Sequence, residues 1–304
     1  MAQNYINTGT QAGNFEDLVN FITRVSWEDT PVFTSAGRTK AKAILHEWMT
    51  QALADGASNA RAEGYAPSFA AGDITARVRR TNPVQIIAKP FSVSGSQDAV
   101  NKAGLGMTAE YEEQKDLKLK ELAKDADFEL IRNTRVTRDA DAGTAGEFDG
   151  LLLWASGSRN VEAAASPLTA TLSEDLYNQV AQAIYTTSGQ KADRVYCNGF
   201  QKRTITRWST PIRRMGDEKT YTNAVNQYDG DWGTQMIVFD PAMPTDEVLI
   251  VKMSVAKVAY LRPVEHYELG RTVDERRGYV LSELSLEITN PNAVGRITRL
   301  TQSA

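Results

Sequence analysis

The side chains able to do chemistry are few in this 304-residue chain: two histidines, His46 and His266, and one cysteine, Cys197. The histidines stand more than two hundred positions apart, so no helix-borne or finger-type zinc spacing exists. No G-x-S-x-G elbow and no G-x-x-x-x-G-K-[ST] loop occurs, which leaves nucleophilic hydrolysis and nucleotide hydrolysis without a foothold. Glu265 and His266 are adjacent, and on a strand adjacent side chains point to opposite faces, so they are not expected to work as an acid and base. Cys197 closes the short apolar run Arg194-Val195-Tyr196-Cys197 where a small apolar residue would fit, and is read as packing. A lone cysteine forms no internal disulfide, which agrees with synthesis in a reducing compartment.

One stretch does match a phosphate-binding pattern. Gly104-Leu105-Gly106-Met107-Thr108-Ala109 fits G-x-G-x-x-A and opens a helix. The fingerprint also needs a buried strand before it, and Gln97 to Lys102 is too polar to be one. The candidate ribose acids, Asp125 and Glu129, fall inside the same helix, so the stretch reads as a glycine-hinged helix start with Thr108 as N-cap. Lys202, Arg203, Arg207, Arg213 and Arg214 form a basic cluster, read as the solvated face of a helix because the net charge is -4. That charge argues against a surface built to bind nucleic acid or an anionic membrane. No run of 18 apolar residues occurs, and Met1 to Gly13 lacks the pattern of a signal peptide. The chain is therefore expected to be made and kept in a cytosol. No cofactor is expected.

The elements around these residues are organised by one long helix over 107–133. No Pro or Gly interrupts it, and its roughly 26 residues would span about 40 Å. At about 100° per residue, Leu119, Leu122, Ala123, Ala126 and Leu130 make one apolar stripe, with Leu117, Phe128 and Ile131 nearly opposite. Two stripes call for two covering layers, the chain's own sheet and something else. Lys118, Lys120, Glu121, Lys124, Asp125 and Arg132 fill the flanks between them.

Taken in order, a polar arm precedes a short amphipathic helix of Phe15, Leu18, Val19 and Ile22. Ser26 to Thr34 is expected to be extended, because Pro31 pushes Thr30 out of the helical region. Between Lys40 and Leu53 two patterns compete. Leu45, Trp48, Met49, Ala52 and Leu53 suit a helical face, Ile44, His46, Trp48 and Thr50 would share one side of a strand, and periodicity slightly favours the helix. Arg61 to Asp73 is polar and marked by Gly and Pro. The region has few large apolar residues to offset about 1–2 kcal/mol of backbone entropy per ordered residue, so it should become rigid against neighbouring chains. Val84, Ile86 and Ala88 then alternate in a strand. After the boundary near Ser156, a helix from Leu172 to Ile184 capped by Ser173 or Thr171, the Arg194 strand, a helix through Trp208 and strands at 236–239, 248–251 and 256–261 follow. The chain ends on alternating Leu284, Leu286 and Ile288, a turn at Asn290-Pro291-Asn292, and a return through Ile297 and Leu300.

In that order, Thr30-Pro31-Val32-Phe33, Glu47-Trp48 and Glu63-Gly64 give the chain a resemblance to the major capsid proteins of tailed bacteriophages. The resemblance covers nearly the whole chain and implies an α+β fold of the Hong Kong ninety-seven type. It implies an N-terminal arm over 1–35, an extended loop over 36–80, a peripheral domain of 81–150 and 271–304 with spine helix 107–133, and an α/β axial domain over 151–270. The loop assignment favours strand over helix between Lys40 and Leu53. The function implied is structural, without turnover: pentamers and hexamers of this chain closing into an icosahedral head around double-stranded DNA. Partners would be the chain itself, DNA touched through the inner surface, and scaffolding, portal and decoration proteins, with no membrane. Synthesis would be in the host cytoplasm and residence in the virion capsid. Trp27, Pro31, Phe33, Trp48 and Glu63 are the expected inter-subunit contacts, since aromatics in poorly covered segments need a partner surface. Two rival readings are a cargo-enclosing bacterial compartment shell of the same fold and an oligomeric α/β nucleotide-cofactor enzyme using the Gly104 loop.

Overall fold

The computed structural model describes residues 29–54, 56–67, 74–99, 110–139, 141, 143–163, 170–208, 226–271 and 273–302. The amphipathic segment of Phe15 to Ile22, the Gly104 loop and the Thr108 cap lie outside the described residues. Thr30 is out of the helical region, at φ -130° and ψ 73°, as Pro31 requires. Pro31 itself opens a helix, α1 (Pro31–Ser35), because its fixed φ suits a first helical position. The expectation of extended chain is thus corrected from Pro31 onward. β1 (Gly37–Lys40) follows, then β2 (Leu45–Thr50), paired antiparallel with β3 (Val78–Pro83). The competition between patterns in this stretch is decided for strand: His46, Trp48 and Thr50 turn to the covered side, while Leu45 and Met49 are exposed.

β4 (Gln85–Ser94) buries Ile87, Phe91 and Val93, the opposite phase to the expected Val84, Ile86 and Ala88. The reason is the step at Val84 between β3 and β4. Its N–H donates to the Ile44 carbonyl at 2.7 Å, its side chain packs with Ala41 and Ala259, and the alternation restarts one residue later. After α2 (Gly95–Ala99) comes the spine helix, α3 (Glu110–Arg132). One stripe is covered as expected, with Leu122, Ala126 and Leu130 buried against the sheet. The second is split: Ile131 is buried, while Phe128 is 46% exposed beneath the Arg132 guanidinium, which lies 5.1 Å from the ring centre.

The second half alternates helix and strand as its periodicities require: α4 (Leu151–Trp154), β5 (Asn160–Glu162), α5 (Glu174–Ser188), β6 (Arg194–Cys197), α6 (Gly199–Trp208), β7 (Gln227–Gly230), β8 (Gly233–Phe239) and β9 (Val248–Val251). Ser173 caps α5 by accepting the Leu176 N–H at 3.3 Å, and Gly189 ends it at φ 66°. Two long strands, β10 (Ala256–Leu269) and β11 (Glu275–Ile288), and the short β12 (Val294–Thr298) complete the chain.

These strands form two larger sheets. One runs β1-β10-β11-β4, with α3 packed across β4 and β11; the other runs β5-β12-β9-β6-β8-β7, with α5 and α6 beside it. Sheet membership crosses the boundary expected at 270 and 271. β10 belongs to the spine-helix sheet and β12 to the other, because Val294, Ile297 and Leu300 find their apolar surroundings beside β9 and α5. β2 and β3 stand apart as a two-stranded ribbon.

Candidate functional site

The β2–β3 hairpin is fastened at its root and bare along its length. At the root, His46 Nε2 meets Glu287 Oε2 at 2.8 Å, and Trp48 Nε1 donates to the Ile288 carbonyl at 2.8 Å. The Trp48 ring lies 5.7 Å from that of Trp154 and 5.6 Å from His46. Asn82, fully buried, donates to the Leu286 carbonyl and accepts the Asp149 N–H, and Ser285 Oγ donates to the Pro83 carbonyl at 2.7 Å. Every described residue from 51 to 67 and from 74 to 80 is exposed, including Leu53 at 95% and Ile74 at 85%. An apolar side chain at that exposure gains almost no burial from its own chain.

Beside the root opens a cleft of 310 Å³ lined by Arg79, Arg80, Thr81, Arg135, Asp149 and Leu153 together with Trp154. Arg135 donates to both the carbonyl and the hydroxyl of Thr81, and Arg79 pairs with Glu47 across the hairpin. Three guanidiniums against Asp149 and the Glu47 paired with Arg79 leave the cleft net positive and suited to an acidic group.

The residues expected to touch neighbouring subunits divide. Trp48 is half-buried by Trp154 and the Ile288 carbonyl of its own chain, with the rest of its ring uncovered. Phe33 is half-buried with the Arg38 guanidinium 4.4 Å above its ring, and Pro31 starts α1. Glu63 is exposed in the distal hairpin, next to Tyr65 and its Arg61 contact at 4.8 Å. Trp27 lies outside the described residues, as do Arg213 and Arg214 of the basic cluster.

Several groups were not singled out by sequence reasoning. Asp127 on α3 and Asp240 after β8 are both fully buried and act electrostatically on one another, and the Oδ2 of each has no hydrogen-bond donor among the described residues. Burial and the facing Asp240 push the Asp127 carboxyl up to about 7; burial also raises Asp240. The available signal was the position of Asp127 on the helical wheel, beside Leu130 and Ile131 and not on the charged flank. Trp154, His46 with Glu287, and the Arg159 side chain gave no such signal, because their partners lie far away in sequence.

His266 and Glu265 part company as adjacent strand residues do. His266 Nε2 is 2.9 Å from the buried Tyr111 hydroxyl and stacks on Phe91, while Glu265 turns to Tyr267. Cys197 is fully buried, its thiol pushed up to about 12 by burial, a packing residue unsuited to nucleophilic attack. Among the described residues no group of three or more metal-ligating side chains forms, and no helix is long and apolar enough to cross a membrane.

The model of the SU10 major capsid protein family matches residues 3–301. The chain belongs to the SU10 major capsid protein family. Among solved structures, a chain from Mycobacterium phage Bobi is 15% identical, with a TM-score of 0.66 over 97% of this chain and 98% of that one. The capsid of a native GTA particle gives 10% identity and a TM-score of 0.70 over 97% and 98%. The holo-SrpI encapsulin complex from Synechococcus elongatus gives 10% and 0.59 over 93% and 94%. No curated protein matches the sequence. The fold of this capsid protein is the Hong Kong ninety-seven type. As a major capsid protein it is a structural component of the virion, and its copies assemble into capsid shells. In such a protein the surfaces that bind further copies are the functional site.

Proposed function

We propose that this capsid protein forms pentamers and hexamers that close into an icosahedral head around double-stranded DNA, acting without catalytic turnover. The observation that carries the reading is the bare hairpin: two strands with exposed Met49 and Val78, joined by a segment with exposed Leu53 and Ile74, are marginal alone and gain their partner surface on an adjacent copy. Residues 36–80 then act as the extended loop, preceded by an arm over 1–35. The peripheral unit is the spine-helix sheet, which takes β10 as well as β4 and β11, and the axial unit is the six-stranded sheet, which takes β12. Trp27, Pro31, Phe33, Trp48 and Glu63 are the inter-subunit contacts in this reading, with the arginine-lined cleft receiving carboxylates of the neighbour. Synthesis in the host cytoplasm and contact with scaffolding, portal and decoration proteins belong to the same reading. The likeness to an encapsulin chain keeps a cargo-enclosing shell as the second reading.

Purified protein imaged by negative stain, followed by nuclease digestion of particles from infected cells, tests the proposal. Closed shells with five-fold and six-fold units and nuclease-protected double-stranded DNA are expected. Shells loaded with protein alone would favour the compartment reading. Small discrete particles would overturn both.

A further inference from the structure

Two buried carboxyl groups that face each other, each with an oxygen that no donor reaches, need a proton between them, since ionised carboxylates only accept. Asp127 and Asp240 meet in this way with no exposed surface, and neither Oδ2 has a donor from any other described group. We propose that the two share a single proton as a latch that ties α1 to the spine helix and to the turn after β8, and that releases α1 when the proton leaves.

Three elements converge on the pair. The α1 helix brings the Phe33 N–H, which donates to Asp127 Oδ1 at 2.7 Å; Thr30 provides no side-chain cap of its own, so a carboxyl of α3 supplies it. The turn after β8 is folded around Asp240: its Oδ1 accepts the Ala242 N–H at 2.8 Å, and its own N–H donates to the Cys197 carbonyl at 3.1 Å. The spine helix contributes Arg132 besides Asp127, and Arg132 Nε donates to the Ala242 carbonyl. Loss of the proton puts two negative charges in a dry junction with one oxygen each and no donor to spare.

The charged surroundings are few. Arg132 favours the ionised form of Asp240, and is itself faced by Asp246 and Glu247. From β6 comes the Cys197 thiol, and α1, of sequence Pro31-Val32-Phe33-Thr34-Ser35, brings no titrating group. The sign follows from the Asp127 acid being raised from 3.8 to about 7. The folded chain holds a proton that the unfolded chain has lost between those values. The stabilisation is complete below 3.8, declines as pH rises through the interval, and is gone above about 7.

Hydrogen–deuterium exchange on the full-length chain, corrected for the intrinsic pH dependence of exchange, reads the latch at the Phe33 amide. Protection is expected to fall by about tenfold or more between about pH 6 and pH 8.5 in the wild-type chain. Asp127→Asn should flatten that profile, because its amide donates to Asp240 while its carbonyl still accepts from Phe33; Asp240→Asn should flatten it by donating to Asp127. Both variants should also lose the infrared C=O band of a buried protonated carboxylic acid. A wild-type profile without slope, or asparagine variants that keep the wild-type slope, would overturn the proposal, and either variant suffices if the other fails to fold.

Discussion

At the scale of single residues, stability rests on a few buried polar groups that close gaps between distant segments. Arg159 is 6% exposed and faces no carboxylate; its guanidinium donates to the carbonyls of Pro291 and Val294 and to Ser156 Oγ, and burial lowers its pKa. Arg159→Ala would take this donor from the buried Val294 carbonyl and the part-buried Pro291 carbonyl, and a loss of about 2–4 kcal/mol in chemical denaturation is expected. Arg159→Lys should recover only part of it, because an ammonium cannot reproduce the planar fork. Gly278 is constrained differently. A Cβ there would overlap the Tyr111 hydroxyl and lie 3.0 Å from His266 Nε2, so Gly278→Ala should cost about 1–3 kcal/mol by displacing that half-buried pair, measurable as a lowered denaturation midpoint with an unchanged slope.

At the scale of elements, the hairpin and the spine helix behave as opposites. The spine helix draws its order from burial of Leu122, Ala126, Leu130 and Ile131, whereas the hairpin is held at one end by Trp48, His46 and Asn82. Trp48→Ala removes the tilted ring contact with Trp154 and the bond to the Ile288 carbonyl together. The expected outcome is faster amide exchange in β2 and β3, unchanged exchange in β6 and β9, and a global loss of no more than about 1–3 kcal/mol. The strand at Leu45–Thr50 carries a helical periodicity all the same, since that pattern reports a face to be buried and here only His46, Trp48 and Thr50 find cover.

At the scale of the whole molecule, folding of the two larger sheets is separable from assembly. Replacing residues 51–77 with a short turn leaves both sheets and the spine helix intact, since none of the described residues in that span enters either core. The monomer should keep its unfolding free energy within about 1 kcal/mol, while shells disappear from sedimentation and negative stain. A truncated chain that still closes into shells would count against the hairpin as the inter-subunit clamp.

Local chemistry made much of this protein legible in advance. An uninterrupted run of helix formers at 110–132, the Ser173 cap, the strand at Val248–Val251 and the packing role of Cys197 depend on near neighbours, and the chain itself specifies those. Pairing across a hundred or more residues left no such trace. The exchange of β10 and β12 between sheets, the step at Val84 that reverses the face of β4, the Trp48–Trp154 ring contact and the meeting of Asp127 with Asp240 were decided only when distant apolar surfaces closed on each other. Hydrophobic burial is non-directional, so a sequence states which faces must be covered and leaves to the tertiary fold which segment covers them.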